Sequence, residues 1–257
     1  LSLLHSVGGE VRAVFALATG NDLPSKTQAP RLLNVHLGAK RDKKCSSAKS
    51  VDIGGQFMQK LPIGIQTFSE IREENYLYID KTDQACLLVE EGKYYFLARP
   101  RRFGKSLLVS TLQAMFEGRK ELFTGLAAES RWDWSVKYPV IKISFGGVAR
   151  DLADMKQDVV NILAENQRRL GLDCPHSADI GGCFKYLIMA AREKYGQKVV
   201  VLVDEYDKLI VDNLDQIEVA KQGREVLKDL YTTIKDSDEY IKFAFLTGVS
   251  KFSKVSV

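Results

Sequence analysis

The sequence predicts an α/β fold in three layers, with a mainly parallel sheet between two sheets of helices. Three observations predict it. Short apolar strands alternate with longer amphipathic stretches of helical period. The five residues Val199 to Val203 are apolar without a break, as expected of a parallel strand covered on both faces. Glycines and capping residues fall between these stretches where helices must stop and start.

The elements follow in order. "ENYLYIDKTD" reads as a short extended segment, after which Asp80 or Thr82 caps the helix "DQACLLVEEG" and Gly92 stops it. "KYYFLA" is a first buried strand. In the next helix Leu107, Leu108, Thr111, Leu112, Met115 and Phe116 share one face, and Gly118 ends it. "PVIKISF" alternates like a second strand. Two amphipathic helices follow, "RDLADMKQDVVNILAENQRRLG", stopped by Gly171, and "GCFKYLIMAAREKYG". "KVVVLVDEYD" is a third strand, "EVAKQGREVLKDLYTTIKD" a helix, and "IKFAFLTGVS" a fourth strand. No internal repeat is visible.

Composition narrows the function classes. The 257 residues are 45% apolar and 27% charged, enough to bury a sizeable core. No apolar run approaches the roughly 18 residues that span a bilayer, and a cytoplasmic protein is expected. The net charge of +4 is local. Residues 1–57 hold eight Lys or Arg against four acids, leaving 29 of each sign from the chain's 37 and 33. The main body is balanced, so its charge gives no support to nucleic-acid binding. Cys45, Cys86, Cys174 and Cys183 form no C-x-x-C pair, and reduced thiols fit better than a disulfide framework. Cys174, His176 and Cys183 lie near one another, but their spacing matches no standard zinc pattern. Residues 1–57 lack Tyr and Trp, and "GAKRDKKCSSAKS" reads as solvated linker. The expectation is a disordered or non-native leader over 1–57 and one domain over 58–257.

The chemistry begins at "FLARPRRFGKSLLVSTL", Phe96 to Leu112. A phosphate loop of the form G-x-x-x-x-G-K-[ST] turns backbone N–H groups inward and aims a helix N-terminus at the anion. Gly104, Lys105 and Ser106 supply its second half, but Arg99 stands where the first glycine belongs. Arg99, Pro100, Arg101 and Arg102 make the approach stiff and positive. Arg99, Arg101 and Arg102, with Phe103, Gly104, Lys105, Ser106 and Leu107, are the candidate nucleotide-binding residues. In this motif Lys105 bridges phosphates, and Ser106 places a hydroxyl on Mg²⁺.

The third strand ends in Asp204-Glu205, a Walker-B-like pair. Asp204 is the expected metal ligand beside Ser106, and Glu205 the residue that polarises an attacking water. Thr247 stands at the carboxyl edge of the fourth strand, where ligands of open α/β sheets gather, so it or Ser250 can sense the terminal phosphate. Lys105, Glu205 and Thr247 are the candidate catalytic residues. Asp207 completes "DEYD" either as support for the acids or as a cap of the next turn. Trp132 and Trp134 are read as core or rim packing.

These strings resemble the AAA-ATPase-like domain family of bacterial P-loop proteins. The resemblance rests on "LPIGIQTFSEIREENYLYIDKTD", "FLARPRRFGKSLLVSTLQAMFEG", "LFTGLA", "VVVLVDEYDKLI" and "FLTGVSKFSKVS", in that order, from Leu61 onward. In that family the arginine-rich approach is the norm. The resemblance implies a P-loop NTPase fold, ATP with Mg²⁺, and the roles above for Lys105, Ser106, Asp204 and Glu205. Members often continue into a module resembling PD-(D/E)XK nucleases, and relative to the family pattern the domain is expected to be incomplete at its C-terminus. Two functions are in view. One is a Mg²⁺-dependent ATPase driving an attached or partner module, with Arg101, Arg102, Arg150 or a second copy supplying charge stabilisation. The other is an ATP-binding switch with little hydrolysis.

Overall fold

The third strand carries the molecule. In the computed structural model, which describes residues 59–147, 151–174 and 180–249, every residue from Val199 to Asp204 is buried. The leader expected at 1–57 lies outside the described residues, as do Arg150, His176 and Ser250. The elements run α1 (Phe68–Glu73), α2 (Thr82–Glu91), β1 (Tyr94–Ala98), α3 (Lys105–Phe116), α4 (Ala128–Arg131), β2 (Val140–Ser144), α5 (Leu152–Leu170), α6 (Ile180–Tyr195), β3 (Val199–Asp204), α7 (Lys208–Val211), α8 (Ile217–Asp236) and β4 (Ile241–Gly248). The sequence periodicity predicts the four strands and the longer helices. The short pieces α1, α4 and α7 span too few residues to show a period.

All pairings are parallel, and the sheet order is β1-β4-β3-β2. Alternation along β3 explains the three layers. Val199, Val201 and Val203 face α5, α6 and α8, whose Val159, Leu163, Phe184, Ile188, Leu227 and Leu230 close over them. Val200 and Leu202 face the opposite way, onto Val109, Leu112, Met115 and Phe116 of α3. Each fully buried large apolar side chain of β3 contributes roughly 1.5–3 kcal/mol. Val109 is fully buried and belongs to the α3 face, with Leu107 and Leu108 at its margin. Trp132 and Trp134 pack on this side too, edge-on to Phe116 and against Phe123 respectively, so they are structural.

Local signals act as the sequence suggests. Asp80 does not sit at the N-cap position, yet its carboxylate accepts the N–H and hydroxyl of Thr82 at 2.8 and 2.7 Å, which orders the start of α2. Asp151 caps α5 through the Asp154 N–H at 2.8 Å. The outer edge of β2 is closed by a side chain. Asn166, 3% exposed on α5, accepts the Lys142 N–H at 2.8 Å and donates to the Lys142 carbonyl at 2.7 Å. Arg169 donates to the Val140 carbonyl beside it. Backbone groups that would otherwise invite another strand are thereby satisfied.

Candidate functional site

Parallel strands bring their carboxyl ends to one edge, and every motif residue sits on that edge. β1 leads into the loop of residues 99–104, after which α3 begins at Lys105. β4 lies between β1 and β3, so the Lys105 and Asp204 strands stand two spacings, roughly 10 Å, apart. Leu97 is level with Thr247 and Ala98 with Gly248, while Val203 is level with Leu246.

The loop passes through left-handed backbone at two residues. Gly104 has φ +75°, a left-handed conformation that costs any side chain strain, and a Cβ there would meet open space. Glycine is therefore required by conformation and not by crowding. Arg102 takes φ +68° although it is not glycine. No side chain caps α3 and no acid stands in its first turn, in contrast to α5. Its N-terminal N–H groups thus face the loop with their positive end available. Lys105 is 7% exposed, and its ammonium donates to the carbonyls of Arg99 and Pro100, both at 3.0 Å.

The other loop residues divide by side-chain direction. Leu107 packs at the margin of the α3 core, and Ser106 is half-buried in the first turn. Phe103 is 66% exposed. Arg101 reaches Asp212, just past α7, at 3.5 Å. The Arg99 N–H donates to the Gly248 carbonyl at 3.1 Å, joining the loop's start to the end of β4.

The acidic pair is held differently at its two members. Asp204 is 4% exposed, and its Oδ1 accepts the Thr247 hydroxyl at 3.1 Å and the Glu205 N–H at 3.0 Å. Thr247 is wholly buried and donates its hydroxyl to Asp204, so its direct effect is to orient that carboxylate. Glu205 adopts φ +52°, and among the described residues only Asn75 and Arg102 share this feature without being glycine. Its carboxylate lies 4.0 Å from Lys208 Nζ, which also donates to the Gly146 carbonyl at 2.9 Å and approaches Asp212 at 3.9 Å. Strained backbone of this kind gathers at functional loops. Asp207 does not cap α7; its carboxylate accepts the Val249 N–H at 2.9 Å.

Sequence reasoning missed Lys208, Asp212 and Gly248. Lys208 follows "DEYD" directly and Asp212 comes four residues later, and the only signal for Gly248 is its place after Thr247. A cleft of about 350 Å³ opens nearby at the end of β2, lined by Ser144, Gly146, Asp158, Asn161, Glu165 and Arg168. The phosphate loop does not line it, so it is a separate feature of the same edge. Among the described residues no group of His, Cys, Asp and Glu is arranged to hold a metal alone. An ion at Asp204 would need oxygens from Ser106 and from a phosphate, which is how Mg²⁺ is usually bound. No helix among the described residues is long and apolar enough to cross a membrane.

Comparison with known proteins gives the family. A curated protein of Azotobacter chroococcum mcd 1, "Uncharacterized protein in vnfD 5'region", is 52% identical over 201 residues. That alignment covers 77% of this chain and 39% of the relative, so the chain spans well under half of the longer protein. No solved structure matches. A family model described as "Predicted AAA-ATPase" matches residues 62–257, which takes in the phosphate loop, the acidic pair and Thr247 and implies nucleotide binding. On that match, the chain belongs to the AAA-ATPase-like family.

Proposed function

We propose that this domain binds Mg–ATP at the carboxyl edge of its sheet and hydrolyses it, the cycle moving an attached or partner module. The observation that carries this reading is the bonded pair Asp204–Thr247, one strand away from an uncapped helix whose first residue is Lys105. When bound, Mg–ATP supplies the scissile anhydride and a cation that neutralises charge developing on it.

The chain's own residues do the rest. Backbone N–H groups from Arg102 to Leu107 cradle phosphate oxygens, and Lys105 exchanges its two carbonyl partners for them. Exchanging neutral carbonyls for anionic oxygens strengthens those hydrogen bonds. Ser106 and Asp204 provide oxygens for the cation. Glu205 accepts the proton of the attacking water, its side chain being 42% exposed at the sheet edge. The donor set fits the group, since Ser106, Asp204 and Glu205 all offer oxygens and Lys105 stands at the loop beside them.

The test is a pair of variants in the full chain, followed by isothermal titration and phosphate release. Lys105→Ala is expected to abolish Mg–ATP binding. Glu205→Gln is expected to retain binding within a few-fold and to lose turnover by 10²-fold or more. Turnover by Glu205→Gln equal to the unmodified protein removes that residue from the mechanism, and binding by Lys105→Ala removes the site.

A further inference from the structure

Three motif loops meet at one glycine. The Gly248 carbonyl accepts the Arg99 N–H from the start of the phosphate loop at 3.1 Å. On its N-terminal side the Thr247 carbonyl accepts the Tyr206 N–H at 3.0 Å, while the Thr247 hydroxyl holds Asp204. On its C-terminal side the Val249 N–H donates to Asp207 at 2.9 Å. A Cβ on Gly248 would lie 2.3 Å from the Tyr206 ring and 2.6 Å from the Asp207 carboxylate. The Tyr206 ring is itself held edge-on by Phe96 of β1, with centroids 5.0 Å apart. The DEYD turn is therefore laced to the last residues of β4 from both sides, with contact too close for any side chain at the crossing.

Asp207 is unusual in this arrangement. It is 2% exposed, yet its carboxylate does not cap the helix that begins beside it. A buried carboxylate is expensive unless hydrogen-bonded, and here it is directed at the backbone of the residue where the chain leaves the sheet. Asp204 is thus bonded to Thr247, and the next residue, Gly248, to the start of the loop at Arg99.

We propose that Asp207 and Gly248 are positioning residues that join the phosphate loop, the acidic turn and the chain leaving β4 into one body, so that the nucleotide bound is reported at Val249. This deepens the nucleotide-hydrolysis reading above and rests on it. Neither residue touches the substrate in this scheme. Asp207 acts through the Val249 N–H, and Gly248 by letting Tyr206 and Asp207 approach. In this scheme a change in the position of Asp204 or of the loop at Arg99 is passed to Val249 through these hydrogen bonds.

The experiment uses the full chain with Asp207→Ala, Asp207→Asn and Gly248→Ala. Three quantities are read: affinity for a fluorescent Mg–ATP analogue, steady-state kcat and KM for ATP, and amide exchange at Val249 with ATP and with ADP. For Asp207→Ala the expected result is affinity and KM within threefold of the unmodified protein and kcat lowered at least tenfold. Exchange at Val249 is expected to become fast and equal in the two nucleotides, where the unmodified protein distinguishes them. Asp207→Asn keeps one acceptor oxygen and is expected to recover part of kcat and part of the protection. A purely structural role lowers the melting temperature but leaves kcat intact below it. Where Asp207→Ala does not fold, Asp207→Asn, assayed at reduced temperature, carries the same comparison. Folded variants with unchanged kcat and unchanged nucleotide-dependent exchange overturn the proposal alone. Failure of the unmodified protein to bind Mg–ATP overturns the functional reading first, and this one with it.

Discussion

Replacing Thr247 by valine removes one oxygen at the centre of the proposed site and almost nothing else. Thr247 is fully buried, its hydroxyl donates to Asp204 at 3.1 Å, and valine has nearly the same shape. The carboxylate keeps the Glu205 N–H at 3.0 Å but loses its other donor to this oxygen. A hydrogen bond to a charged acceptor contributes about 1.5–3 kcal/mol, and the buried methyl of valine offsets part of it. A net loss of about 1–2 kcal/mol is expected. For a domain of this size that lowers the melting temperature by roughly 2–8 °C. The larger effect is on metal use. With Asp204 free to rotate, the Mg²⁺ concentration for half-maximal ATP binding is expected to rise about tenfold, equivalent to about 1.4 kcal/mol. The assay is a melt with and without Mg–ATP, plus a Mg²⁺ titration at fixed nucleotide. Thr247→Ser is the control, since it keeps the hydroxyl and loses only a methyl. If Val and Ser variants show the same Mg²⁺ dependence as the unmodified protein, Thr247 does not orient Asp204 and the reasoning fails.

Two further predictions concern the scaffold. Partial burial works against the charge of Asp80, but hydrogen bonds from Ala127, the Thr82 N–H and the Thr82 hydroxyl outweigh it and hold the carboxyl below its usual 3.8. A depressed folded value means the stabilisation is present above that pH and lost as pH falls through the folded value. Asp80→Asn, which turns an amide N–H toward the Ala127 donor, is expected to cost about 1 kcal/mol at neutral pH after solvent screening. It should also flatten the acid limb below about pH 4, as read by urea titration at several pH values; an unchanged acid limb counts against the assignment. Asn166→Ala strips the closure from the edge of β2, leaving the Lys142 N–H and carbonyl without their partner. A loss of about 2–3 kcal/mol is expected, read as a lowered urea midpoint with unchanged slope. A midpoint equal to the unmodified protein's shows that water replaces the amide at no cost.

The sequence was most informative where a physical period had room to show itself. β3 was legible because five apolar residues in a row have no other good place, and α5 and α8 because their apolar faces recur over several turns. Lys105 and Asp204 were legible as a pair, because a lysine opening a helix after one strand and an acid ending another share an edge in any parallel sheet. Contacts set by tertiary packing were not legible. The bond from Val249 to Asp207 spans 42 residues, and that from Thr247 to Asp204 spans 43, with nothing local at either end to name the partner. The same is true of Asn166, an ordinary polar residue on a helix until the edge of β2 is placed against it. Asp207 was read as a cap or a support because both need a carboxylate at that position. Only the fold shows that its partner is the departing chain.

The left-handed backbone at Glu205 makes stability and activity separable at a single position. Holding a side-chain-bearing residue there costs on the order of 1 kcal/mol, about what glycine's extra freedom in the unfolded chain costs. Glycine at 205 would therefore fold about as well, while deleting the carboxylate on which the proposed water activation depends. A thermostability screen that ignores turnover is blind to that loss, so improved variants of this domain must be sorted by ATP consumption as well as by melting point.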